Sequence, residues 1–153
     1  MTIEGKRVNI IEHTLEQIAK HPHLKIYIGT DSQDYGQDTR FATVLLYRYG
    51  TRGAHFIYLR EEVNVIRDMF IRLYTEGVRT VETAELLRSE IPSISFEALE
   101  FDYNDMHKTM STRVISALKG WVKGIGMKPL FKAGGQLATK AADQVCRKKD
   151  LYP

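Results

Sequence analysis

The fold prediction starts from Leu24-Lys25-Ile26-Tyr27-Ile28-Gly29-Thr30-Asp31-Ser32-Gln33. A short apolar run that is rich in β-branched and aromatic residues and ends at a glycine is typical of a strand in the middle of a sheet. The small residues from Gly29 to Ser32 then predict a turn that carries one carboxylate. Open α/β sheets place ligand and metal sites where a central strand ends. Asp31 is therefore a candidate site residue, although an aspartate at this position can also simply form an Asx-turn.

The segments around this strand predict a mixed α/β sheet. Residues 9–20 have helical spacing of apolar residues, and residues 41–49 and 54–63 continue the first strand as an antiparallel meander. From residue 65 onward, helices and strands alternate: a helix to Pro92 with a break at Gly77, a strand at 94–101, a helix at 111–125, a strand at 127–132 and a final helix. We expect an α/β fold with a five-stranded mixed sheet and helices on both of its faces.

Composition predicts one ordinary globular domain. The chain has 153 residues, 43% hydrophobic and 27% charged, so we expect a single domain over 1–153, with residues 1–23 as an N-terminal helical extension. Cys146 is the only cysteine, and no apolar run reaches the ~18 residues of a membrane span, so we expect a cytoplasmic protein without a membrane partner. Lys and Arg are dense between residues 119 and 149, and they could form either a nucleic-acid-binding face or a solvated helix face.

Acidic residues occur in four places that the predicted topology could bring together. These are Asp31, the helix pair Glu82 and Glu85, the group Asp102, Asn104 and Asp105 at the fourth strand, and Asp143 in the last helix. Clustered carboxylates repel one another unless a cation neutralises them, and oxygen ligands without Cys or His suit Mg²⁺ or Mn²⁺. Two such ions could support hydrolysis of a phosphodiester.

Each acid also has a simpler interpretation. Glu82 and Glu85 could be solvated helix residues, and Asp105 could cap a helix. Asp143 could pair with Arg147, which lies one helical turn further on.

Several motifs resemble those of the YkuK-type family of ribonuclease H-like proteins. Ile28-Gly29-Thr30-Asp31-Ser32-Gln33 resembles the opening signature of that family, and Phe101-Asp102-Tyr103-Asn104 is similar to its fourth-strand segment. Trp121-Val122-Lys123-Gly124-Ile125-Gly126, Lys128-Pro129 and Ala141-Ala142-Asp143 are similar to its C-terminal half. The resemblance covers roughly residues 24–149 and implies a ribonuclease H-like fold.

By this resemblance, the metal-binding and catalytic carboxylates would be Asp31, Glu82, Asp102 and Asp143, with two Mg²⁺ or Mn²⁺ ions as cofactors. The implied activity is a metal-dependent nuclease that acts on RNA, DNA or a hybrid. Candidates for phosphate contacts are Lys128, Lys132, Lys140, Arg147, Lys148 and Lys149. The alternatives are an inert ribonuclease H-like module that binds nucleic acid or protein, and a small-molecule phosphohydrolase that uses the same carboxylates.

Overall fold

A computed structural model of the protein describes residues 1–2, 5–102, 108–131 and 136–148. Its elements are α1 (Ile10–Lys20), β1 (Lys25–Tyr35), β2 (Asp38–Arg48), β3 (Ala54–Asn64), α2 (Met69–Glu90), β4 (Ala98–Glu100), α3 (Lys108–Gly124), β5 (Pro129–Leu130) and α4 (Ala138–Arg147). Within the described residues, no helix is both long and apolar enough to cross a membrane.

The described strands form one five-stranded sheet in the order β3-β2-β1-β4-β5. β1, β2 and β3 pair antiparallel, whereas β4 pairs parallel with β1 and β5 pairs parallel with β4. The predicted mixed α/β sheet is therefore confirmed, and β1 is its central strand.

β1 is longer than the sequence predicts. It continues through Asp31 to Tyr35, in unbroken pairing with β2, and the turn comes at Gly36 with a φ of 60°. The predicted turn from Gly29 to Ser32 is wrong because the small polar side chains of this stretch are satisfied across the sheet and by α2. Thr30 Oγ1 lies 3.0 Å from Thr43 Oγ1, and Thr80 of α2 donates to Thr30.

The two faces of the sheet carry different layers. On one face, β1 and β2 form an apolar core with α2 and α3, and apolar residues of α1 pack against it, as expected for the N-terminal helix. On the other face, the small residues of α4 pack on β2. Gly29 lets α4 come close to β1, because a Cβ at residue 29 would lie 2.9 Å from the backbone nitrogen of Thr139.

α2 also differs from its prediction. It begins at Met69, where Asp68 caps it by accepting a hydrogen bond from the Ile71 amide at 3.0 Å, and it runs without a break through Gly77. The expected break at Gly77 is wrong. The glycine instead provides room for α3, because a Cβ there would lie 2.3 Å from Leu118 Cδ1.

Candidate active site

β4 runs parallel to β1 and beside it, and Asp102 follows the end of β4. Gly29 of β1 is level with Glu100 of β4, so Asp31 and Asp102 both lie two residues further along. Because side chains alternate along a strand, both carboxylates are on the face of the sheet that carries α4. Among the described residues, β4 ends at Glu100 and its pairing with β1 ends at Gly29.

α4 brings Asp143 to the same place. The carboxyl groups of Asp143 and Asp31 interact with one another. The pKa of Asp31 is raised to about 7, chiefly by burial; the Ser32 amide lowers it, and the neighbouring Asp143 and Asp102 contribute to the rise. Arg147 Nε also donates to Asp143 Oδ1 at 2.7 Å, which confirms the pairing that the spacing indicated.

A fourth acid, Glu76, approaches from α2 on the opposite face. Its side chain is 7% exposed, and Ser32 Oγ donates to Glu76 Oε1 at 2.5 Å. Burial raises its pKa well above the usual value, and the charge of Asp31 raises it as well. The site therefore contains a deeply buried carboxylate next to the strand that carries Asp31.

The structure does not bring Glu82 to this place. Glu82 is exposed on α2 and Glu85 is only half-buried, whereas the buried stripe of the helix includes Leu73, Glu76 and Thr80. The placement expected for Glu82 is therefore corrected to Glu76. The reason is the helical register: six residues separate Glu76 from Glu82, which is about 1.7 turns, so they project in different directions.

Arg72 holds Ser32 and, through it, Glu76. Its Nε donates to Ser32 Oγ at 2.7 Å and its Nη2 to the Ser32 carbonyl at 2.9 Å. Its Nη1 donates to Asp34 Oδ2 at 2.9 Å. This planar fork fixes the Ser32 hydroxyl, so that its proton is directed at Glu76.

Both ends of α4 are held by side chains of the sheet. The buried Glu100 accepts hydrogen bonds from the amides of Leu137 and Thr139 at 3.1 and 3.0 Å. At the other end, Arg40 donates to the carbonyls of Cys146 and Lys148 at 3.1 and 3.0 Å. A negative group at the N-terminus and a positive group at the C-terminus both match the helix dipole. These contacts fix the helix that carries Asp143.

Neither Glu100 nor Arg40 was singled out from the sequence. The available signal was one charged residue inside an apolar stretch in each case, namely Ala98-Leu99-Glu100-Phe101 and Arg40 before Phe41-Ala42. A charged residue that is buried in a strand requires partners. Those of Glu100 are amides at the start of α4, whereas those of Arg40 are carbonyls at the end of α4 and the carboxylate of Glu62 at 2.7 Å.

Four of the basic candidates are described, and all four are exposed: Lys128, Lys140, Arg147 and Lys148. Lys140 and Arg147 lie about one turn before and after Asp143 on α4, so they flank it on the solvent side. Lys132 and Lys149 lie outside the described residues, as do Asn104 and Asp105.

The acids near Asp31 interact with one another, but their side chains are not arranged as a set of metal ligands. Asp31 interacts electrostatically with Asp143, Asp102 and Glu76. In the described part of the chain, however, no group of three or more His, Cys, Asp or Glu side chains is arranged to hold a metal ion. The donors around Asp31 are carboxylate oxygens, which is the chemistry that Mg²⁺ and Mn²⁺ prefer.

Comparison with known proteins agrees with the fold. No curated protein matches the chain. A family model described as Ribonuclease H-like matches residues 8–147. This range spans every element from α1 to α4 and includes Asp31 and the three acids near it. The chain therefore belongs to the Ribonuclease H-like family, which is the YkuK-type family that its motifs resemble.

Proposed function

We propose that the protein is a divalent-metal-dependent nuclease that hydrolyses phosphodiester bonds. The observation that carries this proposal is that Asp31 interacts with Asp143 and Asp102 on the face of the sheet that carries α4, and with Glu76, which reaches β1 from the opposite face. Clustered like charges are costly, and a cation between them removes that cost.

The proposed ligands are Asp31, Glu76, Asp102 and Asp143. Two divalent ions bound there would supply an activated water and would stabilise the departing 3′ oxygen. The residues of the chain then have separate tasks: Arg72 and Ser32 orient Glu76, and Glu100 and Arg40 hold the helix that carries Asp143.

We propose nucleic acid as the substrate because of the cations around this site. Lys140 and Lys148 are exposed on or just after α4, close to Asp143 in sequence, and Arg147 already contacts Asp143. Phosphate contacts from such side chains position a strand without reading its sequence. The cytoplasm remains the proposed location, because the single cysteine is a buried free thiol.

A second candidate is a nucleic-acid-binding module that has lost cleavage. The observation that favours it is the pairing of Asp143 with Arg147, which leaves this carboxylate less available to an ion. The same basic residues would still contact phosphates, so binding alone does not separate the two candidates.

The deciding assay uses labelled RNA, DNA and hybrid duplexes with Mg²⁺ or Mn²⁺, and the matched variant Asp31→Asn. The nuclease predicts cleavage that stops in EDTA and falls at least about 1,000-fold in Asp31→Asn, with binding retained, as expected when a charge-stabilising group is lost. Salt-dependent binding without cleavage of any substrate would establish the inert module instead. If the protein neither binds nor cleaves the panel, nucleic acid is the wrong substrate class, and a phosphohydrolase for small molecules should be tested.

A further inference from the structure

Two histidines from distant parts of the chain meet where α1 packs on the sheet. His13 is on α1 and His55 is near the start of β3, and their Nε2 atoms are 3.0 Å apart. Both side chains are half-buried, so one side of the pair is open to solvent. This place is at the other end of β1 and β2 from Asp31, since His55 pairs with Tyr47, which in turn pairs with Ile26.

The aromatic ring of Tyr47 orients both imidazoles. Its ring lies parallel to His55, with 6.0 Å between centroids and an interplanar angle of 17°, and it meets His13 edge-on at 5.6 Å. Tyr47 is fully buried, and its hydroxyl lies 2.8 Å from Thr14 Oγ1. The two rings are thus held by a rigid side chain of β2 rather than only by each other.

The distance between the two nitrogens fits a shared metal ion. Two imidazole nitrogens at about 2.0–2.1 Å from one zinc ion are roughly 2.9 to 3.4 Å apart for angles between 90° and the tetrahedral value. Burial, and then the neighbouring His55, lower the pKa of His13, which favours the neutral imidazole that ligation requires.

We propose that His13 and His55 form a second metal site, for a borderline transition-metal ion such as Zn²⁺, which is separate from the carboxylates around Asp31. Imidazole nitrogen suits Zn²⁺, Cu²⁺ or Ni²⁺, whereas the carboxylates suit Mg²⁺ and Mn²⁺. Water would fill the remaining positions, while Glu16, which is one turn along α1 and is paired with Lys20, acts electrostatically on His13. An ion at this site would link α1 to β3.

The test is Zn²⁺ binding by the full chain, freed of metal beforehand, followed by thermal unfolding. At a free Zn²⁺ concentration about 100 times the Kd, the wild type should gain roughly 5–10 °C in Tm. His55→Gln and His13→Gln keep a hydrogen-bonding side chain but lose an imidazole, so each should lose this gain and bind Zn²⁺ at least about tenfold more weakly. His23→Gln, in the exposed loop after α1, is the matched control and should behave as the wild type.

Histidine ¹⁵N spectra of the wild type provide a second readout that needs no variant. Zn²⁺ should shift the Nε2 signals of His13 and His55 together, at one equivalent, and leave His23 unchanged. Unshifted signals at saturating Zn²⁺, or an equal gain in Tm for the wild type and all three variants, would overturn the site and leave an ordinary hydrogen bond between the two rings.

Discussion

At the scale of the residue, the burial of Asp31 makes its ionisation costly. Its pKa is about 7 in the folded chain, against 3.8 for the unperturbed group. Below pH 3.8 the carboxyl is protonated in both the folded and the unfolded chain, so burial adds no cost. The cost to the free energy of unfolding grows as the pH rises from 3.8 to about 7 and is complete above that pH. In metal-free buffer, the folded state should therefore become less stable as the pH rises from 5 to 8.

Asp31→Asn removes this cost. We therefore expect the Tm of the variant to rise relative to that of the wild type by roughly 5 °C between pH 5 and pH 8 in EDTA. Because the charge of Asp31 also raises the pKa of Glu76, the difference reports the titration of Asp31 together with the neighbouring acids that it perturbs. Thermal unfolding at several pH values is the measurement. A difference that is constant with pH would mean that Asp31 ionises freely in the folded chain. Saturating Mn²⁺ should remove the pH dependence of the wild type.

At the scale of the element, the attachment of α4 to the sheet is testable at Arg40. Arg40→Met keeps the length of the side chain but leaves the carbonyls of Cys146 and Lys148 without this donor. We expect a loss of about 1–3 kcal/mol in the free energy of unfolding and a lower cleavage rate, because Asp143 is carried by the loosened helix. Denaturant unfolding measures the loss in the free energy of unfolding. Arg48→Met, at an exposed end of β2, is the control, and equal losses in both variants would contradict a specific role for Arg40.

Two glycines give a matched pair for helix packing. Gly77→Ala should destabilise the protein by about 1–3 kcal/mol, because the new Cβ meets Leu118 Cδ1 at 2.3 Å. Gly120 is an exposed residue of α3, and a Cβ there would have no heavy atom within 4 Å. Gly120→Ala should therefore stabilise the protein by about 0.5–1 kcal/mol. Chemical denaturation of both variants is the check. If Gly77→Ala were as stabilising as Gly120→Ala, α2 would not pack on α3 as described.

These two elements also explain what could be predicted from the sequence. The antiparallel meander and the later alternation of helices and strands follow from apolar periodicity, which is a local pattern. The choice of Glu76 as the buried acid of α2 does not follow from such a pattern, because it depends on the cap at Asp68 and on a helix that continues through Gly77. The reason for that continuity is Leu118, a contact between residues 41 positions apart, which no local pattern contains.

At the scale of the whole molecule, charge is distributed so that one end of the sheet combines acids with exposed cations. Replacing Lys140 and Lys148 with Ala should weaken nucleic-acid binding and reduce the slope of log affinity against log salt by about 2. Lys20 and Lys25 lie near the opposite end of β1, about 20 Å from Asp31 at ~3.3 Å per residue, and their double Ala variant is the control. Binding titrations at several salt concentrations measure the affinity and the salt slope of each double variant. Equal slopes for the two double variants would mean that the cations around α4 contact no phosphate.

The most direct test of the proposed site compares two glutamates of α2. Glu76 is buried beside Asp31, whereas Glu82 is exposed on the same helix, so Glu76→Gln and Glu82→Gln make the same chemical change in different places. The measurement is the Mn²⁺-dependent cleavage rate of the best substrate of the panel at saturation. We predict a fall of at least about 100-fold for Glu76→Gln and an unchanged rate for Glu82→Gln. Full activity of Glu76→Gln, or loss of activity in Glu82→Gln alone, would contradict the site described around Asp31.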